Sequence, residues 1–232
     1  MKSEFHDRGC SLGVLLAVLL NVGAQGADSS SSGPCPGAAS WRRDHPTLAD
    51  TPDSKDSNAV ISDVALLNDL RHRVESDQAA RKKLLADPKS KQLGGSVNAI
   101  DTANLAWLRR LLSEKGFPTI VQVGKEGVHL AWVLLQHADD DPKLQRELLP
   151  VLEQRLSAGE LPANDLARFT DRVLVASGKP RRYGTQFDWF AGDFTLPEPS
   201  RLAEIDSERS HLGLMPLADY VCTIRVAREK LR

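Results

Sequence analysis

The chain has 232 residues, 41% of them hydrophobic, with 30 lysines and arginines against 31 aspartates and glutamates and a formal net charge of −1. That length suffices for one domain with a proper core. The balanced charge and sparse aromatics leave no strongly basic face, so nucleic acid is not an expected partner. At the start, Lys2 and Arg8 precede an apolar run from Cys10 to Gly23, and small residues follow to Ala27. This pattern predicts a secretory signal over residues 1–26, too short to span a bilayer comfortably and cleaved after Ala24 or Gly26. Glu4 and Asp7 weaken its positive end and keep an uncleaved anchor as the alternative, while no lipobox cysteine follows. The expected protein is therefore exported, periplasmic or secreted, with no membrane contact after cleavage.

Residues 27–58 are rich in Ser, Gly, Pro and Asp and read as a disordered leader, because so few apolar groups cannot offset ordering entropy. Cys35 and Cys222 alone survive cleavage; export permits a disulfide between them, and the plainer reading of Cys222 is a small apolar residue in the last helix. The folded domain is expected over residues 59–232. Val60, Val64, Leu67, Leu70 and Val74 recur at helical spacing in a first helix ending by Asp87-Pro88. A second helix is placed after Gly94-Gly95, with Ile100, Ala103, Trp107, Leu108 and Leu111 on one stripe and Gly116 as its stop. A third starts near Lys125 or Glu126 and is apolar on almost every face through Leu135, which assigns it to the middle of a bundle.

Asp141 and Pro142 open the fourth helix as cap and first residue. A fifth occupies about residues 163–177, and two more, about 201–212 and 217–231, close the domain. Between them the aromatic run from Phe187 to Thr195 around Gly192-Asp193 reads as a small hairpin. The predicted fold is mainly α, a single-domain bundle of about seven helices with one β-hairpin.

Polar residues cluster from Gly116 to Gln186: Gly116-Phe117-Pro118-Thr119, Gln136-His137-Ala138-Asp139, Asp171-Arg172 and Tyr183-Gly184-Thr185-Gln186. In order and spacing they resemble a bacterial family of unknown function with GWPT, QHAD, DR and GxxQxYGTQ motifs. The likeness extends upstream to Asp101 and Asn104, and downstream to Ile205-Asp206, Arg209 and Gly213-Leu214. Phe117 stands for the family's Trp, and Arg181 for the Gln preceding Tyr-Gly-Thr-Gln. If that Gln contacts a ligand in the family, binding here is altered or lost. The resemblance supplies a family without a mechanism.

His137 closes the most buried helix, where the macrodipole favours its protonated form, and three aspartates follow. Its functional reading is a general acid/base, with Asp171 or Asp101 orienting it, or a metal ligand with Asp139 or Asp141. Its structural reading is a helix-end histidine paired with an aspartate. Asn104 lies in an apolar stripe and must find partners, either on the 183–186 loop or on a substrate. Asp171 and Arg172 point about 100° apart, so each needs its own partner, and Arg172 suits Asp139 or an anionic ligand. Tyr183, Thr185 and Gln186 either present polar groups to a ligand or lock their loop onto the bundle.

A metal is not expected, since His129 and His137 are eight residues and roughly 80° apart on the helix, unlike an i, i+4 zinc pair. No glycine-rich phosphate loop, dinucleotide fingerprint or G-x-S-x-G elbow is present, so no redox or nucleotide cofactor is expected. The sequence thus points to a helical domain that binds a small molecule or a protein. The alternative is a hydrolase that uses His137 with an aspartate partner.

Overall fold

The structure, a computed structural model, describes residues 33–45, 60–187 and 197–229. Its helices are α1 (Pro36–Asp44), α2 (Val64–Ala86), α3 (Lys91–Lys115), α4 (Ile120–Gln136), α5 (Pro142–Ser157), α6 (Ala163–Ala176), α7 (Pro199–His211) and α8 (Leu217–Glu229). The domain is mainly helical, and among the described residues there is no strand. The expected hairpin, all but Phe187, and the expected signal lie outside the described residues. The described residues hold eight helices against the seven expected; the additional one is α1.

Side-chain caps set four of the helix starts, those of α2 to α5. Asp63 Oδ1 accepts from Leu66 N at 3.0 Å to open α2, and Asp141 Oδ1 accepts from Leu144 N at 3.0 Å to open α5, with Pro142 at its first position. α3 begins before Gly94-Gly95 rather than after them. Ser90 Oγ caps Leu93 N, and the space where a Cβ would stand on either glycine is open, so both are tolerated in the first turns.

Thr119 and Gln122 form a capping box that starts α4 with a single turn, and Gly124, at φ 70°, then kinks the chain. The long segment of α4 consequently starts at Lys125, where the sequence placed it. The first turn of α4 also fixes the entry to α2, through Ser62 N to Val121 O (3.1 Å) and Asp63 N to Gln122 O (2.9 Å).

α4 is the central helix: Val128, Ala131, Trp132, Val133, Leu134 and Leu135 are all buried. Leu67, Leu70 and Val74 of α2, Leu105 and Leu108 of α3, Leu152 of α5, and Leu166 and Phe169 of α6 pack in the same cluster. Burying each such side chain contributes about 1.5–3 kcal/mol, so this layer dominates stability. A smaller cluster joins Ile205 of α7 to Leu217, Tyr220, Val221 and Ile224 of α8. α1 packs on α8 beside the Cys35–Cys222 disulfide, whose Cα atoms are 5.8 Å apart. Residues 36–44, expected to be part of a disordered leader, are instead helical; the covalent tie and burial of Ala38 supply what their composition lacks.

Candidate functional site

His137 follows the last residue of α4 with non-helical backbone (φ −93°, ψ 5°), its N bonded to Leu134 O. Its side chain is 3% exposed, and Nδ1 stands 3.0 Å from Asp77 Oδ1 on α2. Asp77 Oδ1 also accepts from Arg81 Nε at 3.0 Å, and its Oδ2 accepts from Gln78 Nε2 at 2.7 Å. The far arm of Arg81, Nη2, donates to Asp101 Oδ1 on α3. A continuous relay, His137 to Asp77 to Arg81 to Asp101, therefore crosses α4, α2 and α3.

Three shifted titrations follow from this packing. Burial pushes His137 down to about 4, with Arg81 and Arg172 adding to the effect and Asp77 opposing it. The expected protonated histidine is thus corrected: desolvation outweighs the helix end, and the imidazole is neutral. Burial likewise raises Asp101 to about 6, helped by Asp77 and Asp139 and opposed by Arg81. For Asp77, burial works upward, but His137 and Arg81 together hold the carboxyl below its ordinary range. With Asp77 ionised, the hydrogen bond assigns the His137 proton to Nδ1 and leaves a lone pair on Nε2. That Nε2 is buried and has no hydrogen-bond partner among the described residues.

α6 supplies the next group. Arg172 Nη1 donates to Asp139 Oδ1 at 2.6 Å, one of the two partners foreseen for it, and Nε donates to Gln136 Oε1 at 3.3 Å. Its Nη2 is buried without a partner, as are Gln136 Nε2 and Asn104 Nδ2. Asn104 does not reach the 183–186 loop; its Oδ1 accepts from Arg73 Nη1 at 3.1 Å, and that guanidinium lies 4.4 Å over the Trp107 ring. Carboxylate oxygens of Asp77 and Asp101 and a ring nitrogen of His137 all lie within 4.8 Å of one another.

Asp171 enters a different region. Its Oδ1 accepts from Arg182 N (2.6 Å) and Tyr183 N (2.9 Å), and its Oδ2 from Thr185 N (2.6 Å) and Thr185 Oγ1 (2.8 Å). Gln186 Nε2 donates to Arg168 O at 3.1 Å. Buried Arg209 of α7 holds the loop from the other side, with Nη1 2.8 Å from Tyr183 O and Nε 2.6 Å from Met215 O. Gly184, at φ 67°, turns the chain where a Cβ would come within 2.8 Å of Leu217. Among the described residues, every polar contact of Asp171 goes to this loop, 182–185, and none to His137.

The structure therefore brings His137, Asp101 and Arg172 into one polar centre, with Asn104 one helical turn from Asp101. Asp171, Tyr183, Thr185 and Gln186 form a separate loop clamp. The aspartate that orients His137 is Asp77, not Asp171 or Asp101, and of the three aspartates that follow His137, Asp141 serves as a helix cap paired with Arg109.

Sequence reasoning missed Asp77, Gln78, Arg81 and Arg73. A signal for two of them was available: Asp77 and Arg81 continue the buried stripe of Leu67, Leu70, Val74 and Leu84, where a polar residue needs a partner. A family described as of unknown function, DUF6624, matches residues 64–229. The chain belongs to the DUF6624 family. The match runs from the first residue of α2 to the last of α8, so it contains both the polar centre and the clamp of this DUF6624 domain, and leaves α1 outside. No curated protein and no solved structure matches the chain.

Proposed function

We propose that this DUF6624 domain binds a small molecule at the polar centre bounded by α2, α3, α4 and α6, and that it works outside the cytoplasm. The observation that carries the reading is His137 Nε2, a buried lone pair with no protein partner, beside a relay that fixes its tautomer. Buried polar atoms in native proteins are overwhelmingly partnered. Arg172 Nη2, Gln136 Nε2 and Asn104 Nδ2, also without partners, offer a ligand further donors. Asp139, 55% exposed over Arg172, lies on the solvent side of this group and marks the direction of entry. The Cys35–Cys222 disulfide supports export, because such bonds persist in oxidising compartments. The N-terminal sequence of the mature protein and its cellular fraction check that part of the reading.

A thermal-shift screen against sugars, amino acids, peptidoglycan fragments and phosphoesters, run beside His137→Ala, tests the binding site. A compound that raises the melting temperature of the wild type but not of a folded variant places the ligand here. Absence of any shift, with a variant that melts far earlier, assigns His137 to architecture alone.

A second reading is favoured by the Asp77–His137 geometry: a neutral imidazole oriented by an ionised carboxylate is a general base, and a hydrolase would use it so. Turnover of a hit compound that His137→Gln abolishes, while binding persists, separates this reading from simple binding.

A further inference from the structure

We propose that Arg172 binds a carboxylate or phosphoryl group of the small molecule, and that Asp139 holds this anion position until the ligand displaces it. The inference rests on the reading of the polar centre as a binding site and names the ligand's charged group. The Arg172 side chain is 4% exposed and is held at two points: Nε donates to Gln136 Oε1 at 3.3 Å, and Nη1 donates to Asp139 Oδ1 at 2.6 Å. Gln136 is fully buried at the end of α4, so its contact fixes the plane of the guanidinium. The third nitrogen, Nη2, is buried and has no partner among the described residues. Covalent geometry puts Nη1 and Nη2 on one edge of the group, the fork that matches two oxygens of a carboxylate or phosphate. Asp139 uses half of that fork. The exposed Arg71–Glu126 pair shows the contrast, with two nitrogens on two oxygens at 2.8 and 2.6 Å.

Asp139 is built to be displaced. Its side chain is 55% exposed and lies in the short turn between α4 and α5, so on swinging outward the carboxylate regains water. Gln145 Nε2, 3.5 Å from Asp139 Oδ1, would keep Leu135 O as its partner at 3.1 Å.

Charge inside the centre does not change in the exchange. The ligand's anion takes the place of a carboxylate already there, while Asp77 and Asp101 keep Arg81 between them. Gln136 Nε2, also buried without a partner, offers a second donor on the residue that steadies Arg172. Arg172 lies close enough to His137 to help keep its ring neutral, so the anion position and the lone pair on Nε2 belong to one centre.

The test follows the Nε–H resonance of Arg172 in proton–nitrogen NMR spectra, assigned by its loss in Arg172→Lys. Sodium phosphate and, separately, sodium acetate are titrated at an ionic strength held constant with sodium chloride. Melting temperatures are read in parallel, so the comparison does not depend on that assignment. The expected result is saturable binding of at least one anion, about three- to tenfold tighter in Asp139→Asn, whose neutral amide competes less for the guanidinium. Preference for acetate identifies a carboxylate ligand and preference for phosphate a phosphoester; either supports the proposal. Glu126→Gln removes the same charge from an exposed pair and should bind as the wild type does. Should Asp139→Asn not fold, Asp139→Ser makes the same comparison. Binding of neither anion, binding no tighter without the Asp139 carboxylate, or equal tightening in Glu126→Gln overturns the proposal. If an uncharged sugar then still gives His137-dependent stabilisation, the anion position fails and the binding site stands; if no compound does, both fail together.

Discussion

Asp171 and Arg172 are neighbours on α6, yet they enter two regions whose polar groups are satisfied to different degrees. Asp171 reaches the clamp, where four hydrogen bonds from residues 182–185 occupy both of its oxygens. Arg172 reaches the polar centre, where it and His137, Gln136 and Asn104 each keep a buried nitrogen without a partner, against one, Arg209 Nη2, at the clamp. A carboxylate that accepts that many short bonds has no capacity left for a ligand, so the clamp is architecture. A centre with unmet donors and a free lone pair carries a desolvation cost that no protein bond offsets. The difference shows why a polar motif is a poor guide to function by itself: Asp-Arg contributes one residue to each region.

Removing the keystone of the clamp gives the largest expected effect. Asp171→Ala strands three backbone N–H groups and a hydroxyl in a buried site, at a cost on the order of 3–5 kcal/mol. Urea denaturation should show this as a midpoint shift at unchanged slope, or as failure to fold; a variant as stable as the wild type would remove the distinction between the two regions. Next in size is Gly184→Ala. At φ 67° and with Leu217 within 2.8 Å of the new Cβ, it should cost about 1–3 kcal/mol, again read from urea melts. Neither substitution touches the groups of the polar centre directly, so a variant that remains folded should keep any ligand found there.

The polar centre should respond in the other direction. Asn104→Leu deletes an amide whose Nδ2 has no partner and whose Oδ1 meets only Arg73, a side chain also stacked on Trp107. Replacing an incompletely satisfied amide by an apolar group of similar size should change stability by less than about 1 kcal/mol. If the loss instead approaches that of Asp171→Ala, Asn104 belongs to the architecture and the contrast fails.

The unequal treatment of these residues also explains what could be read from the sequence. Signals carried by neighbours along the chain were legible: the Asp141-Pro142 start, the all-round apolar face of α4, the stop at Gly116, and the mutual avoidance of Asp171 and Arg172. Contacts across long separations were not. Asp77 meets His137 sixty residues away, and α1 is tied to α8 by Cys35 and Cys222, 187 residues apart, so composition alone made it look disordered. The rule that singled out Asn104, a polar group in an apolar stripe, applies equally to Asp77 and Arg81. The partner remains hidden even then, because helical periodicity fixes which face a residue occupies and not what lies opposite.

The smallest effect expected of the wild type is its response to acid, and it separates the members of the polar centre from one another. His137 binds its proton near 6.5 in the unfolded chain but only near 4 when folded, so its contribution to stability is complete above 6.5 and is lost as pH falls toward 4. Asp101 runs oppositely: its ordinary 3.8 is raised to about 6 on folding, so stability is lost as pH rises from 3.8 to 6 and recovered as it falls. Between pH 4 and 6 the folded protein withholds one proton at His137 and takes up about one at Asp101, and the two slopes nearly cancel. Asp101→Asn removes one side of that cancellation and should lose stability relative to wild type as pH drops from 6 to 4, while His137→Gln should gain. Asp77, Arg81, Arg172 and Asp139, which surround the pair, remain in both variants, so the difference from wild type in urea midpoints at pH 4, 5 and 6 isolates the two groups. Parallel pH curves for all three proteins would mean that the relay through Asp77 and Arg81 does not couple these residues to folding as its geometry implies.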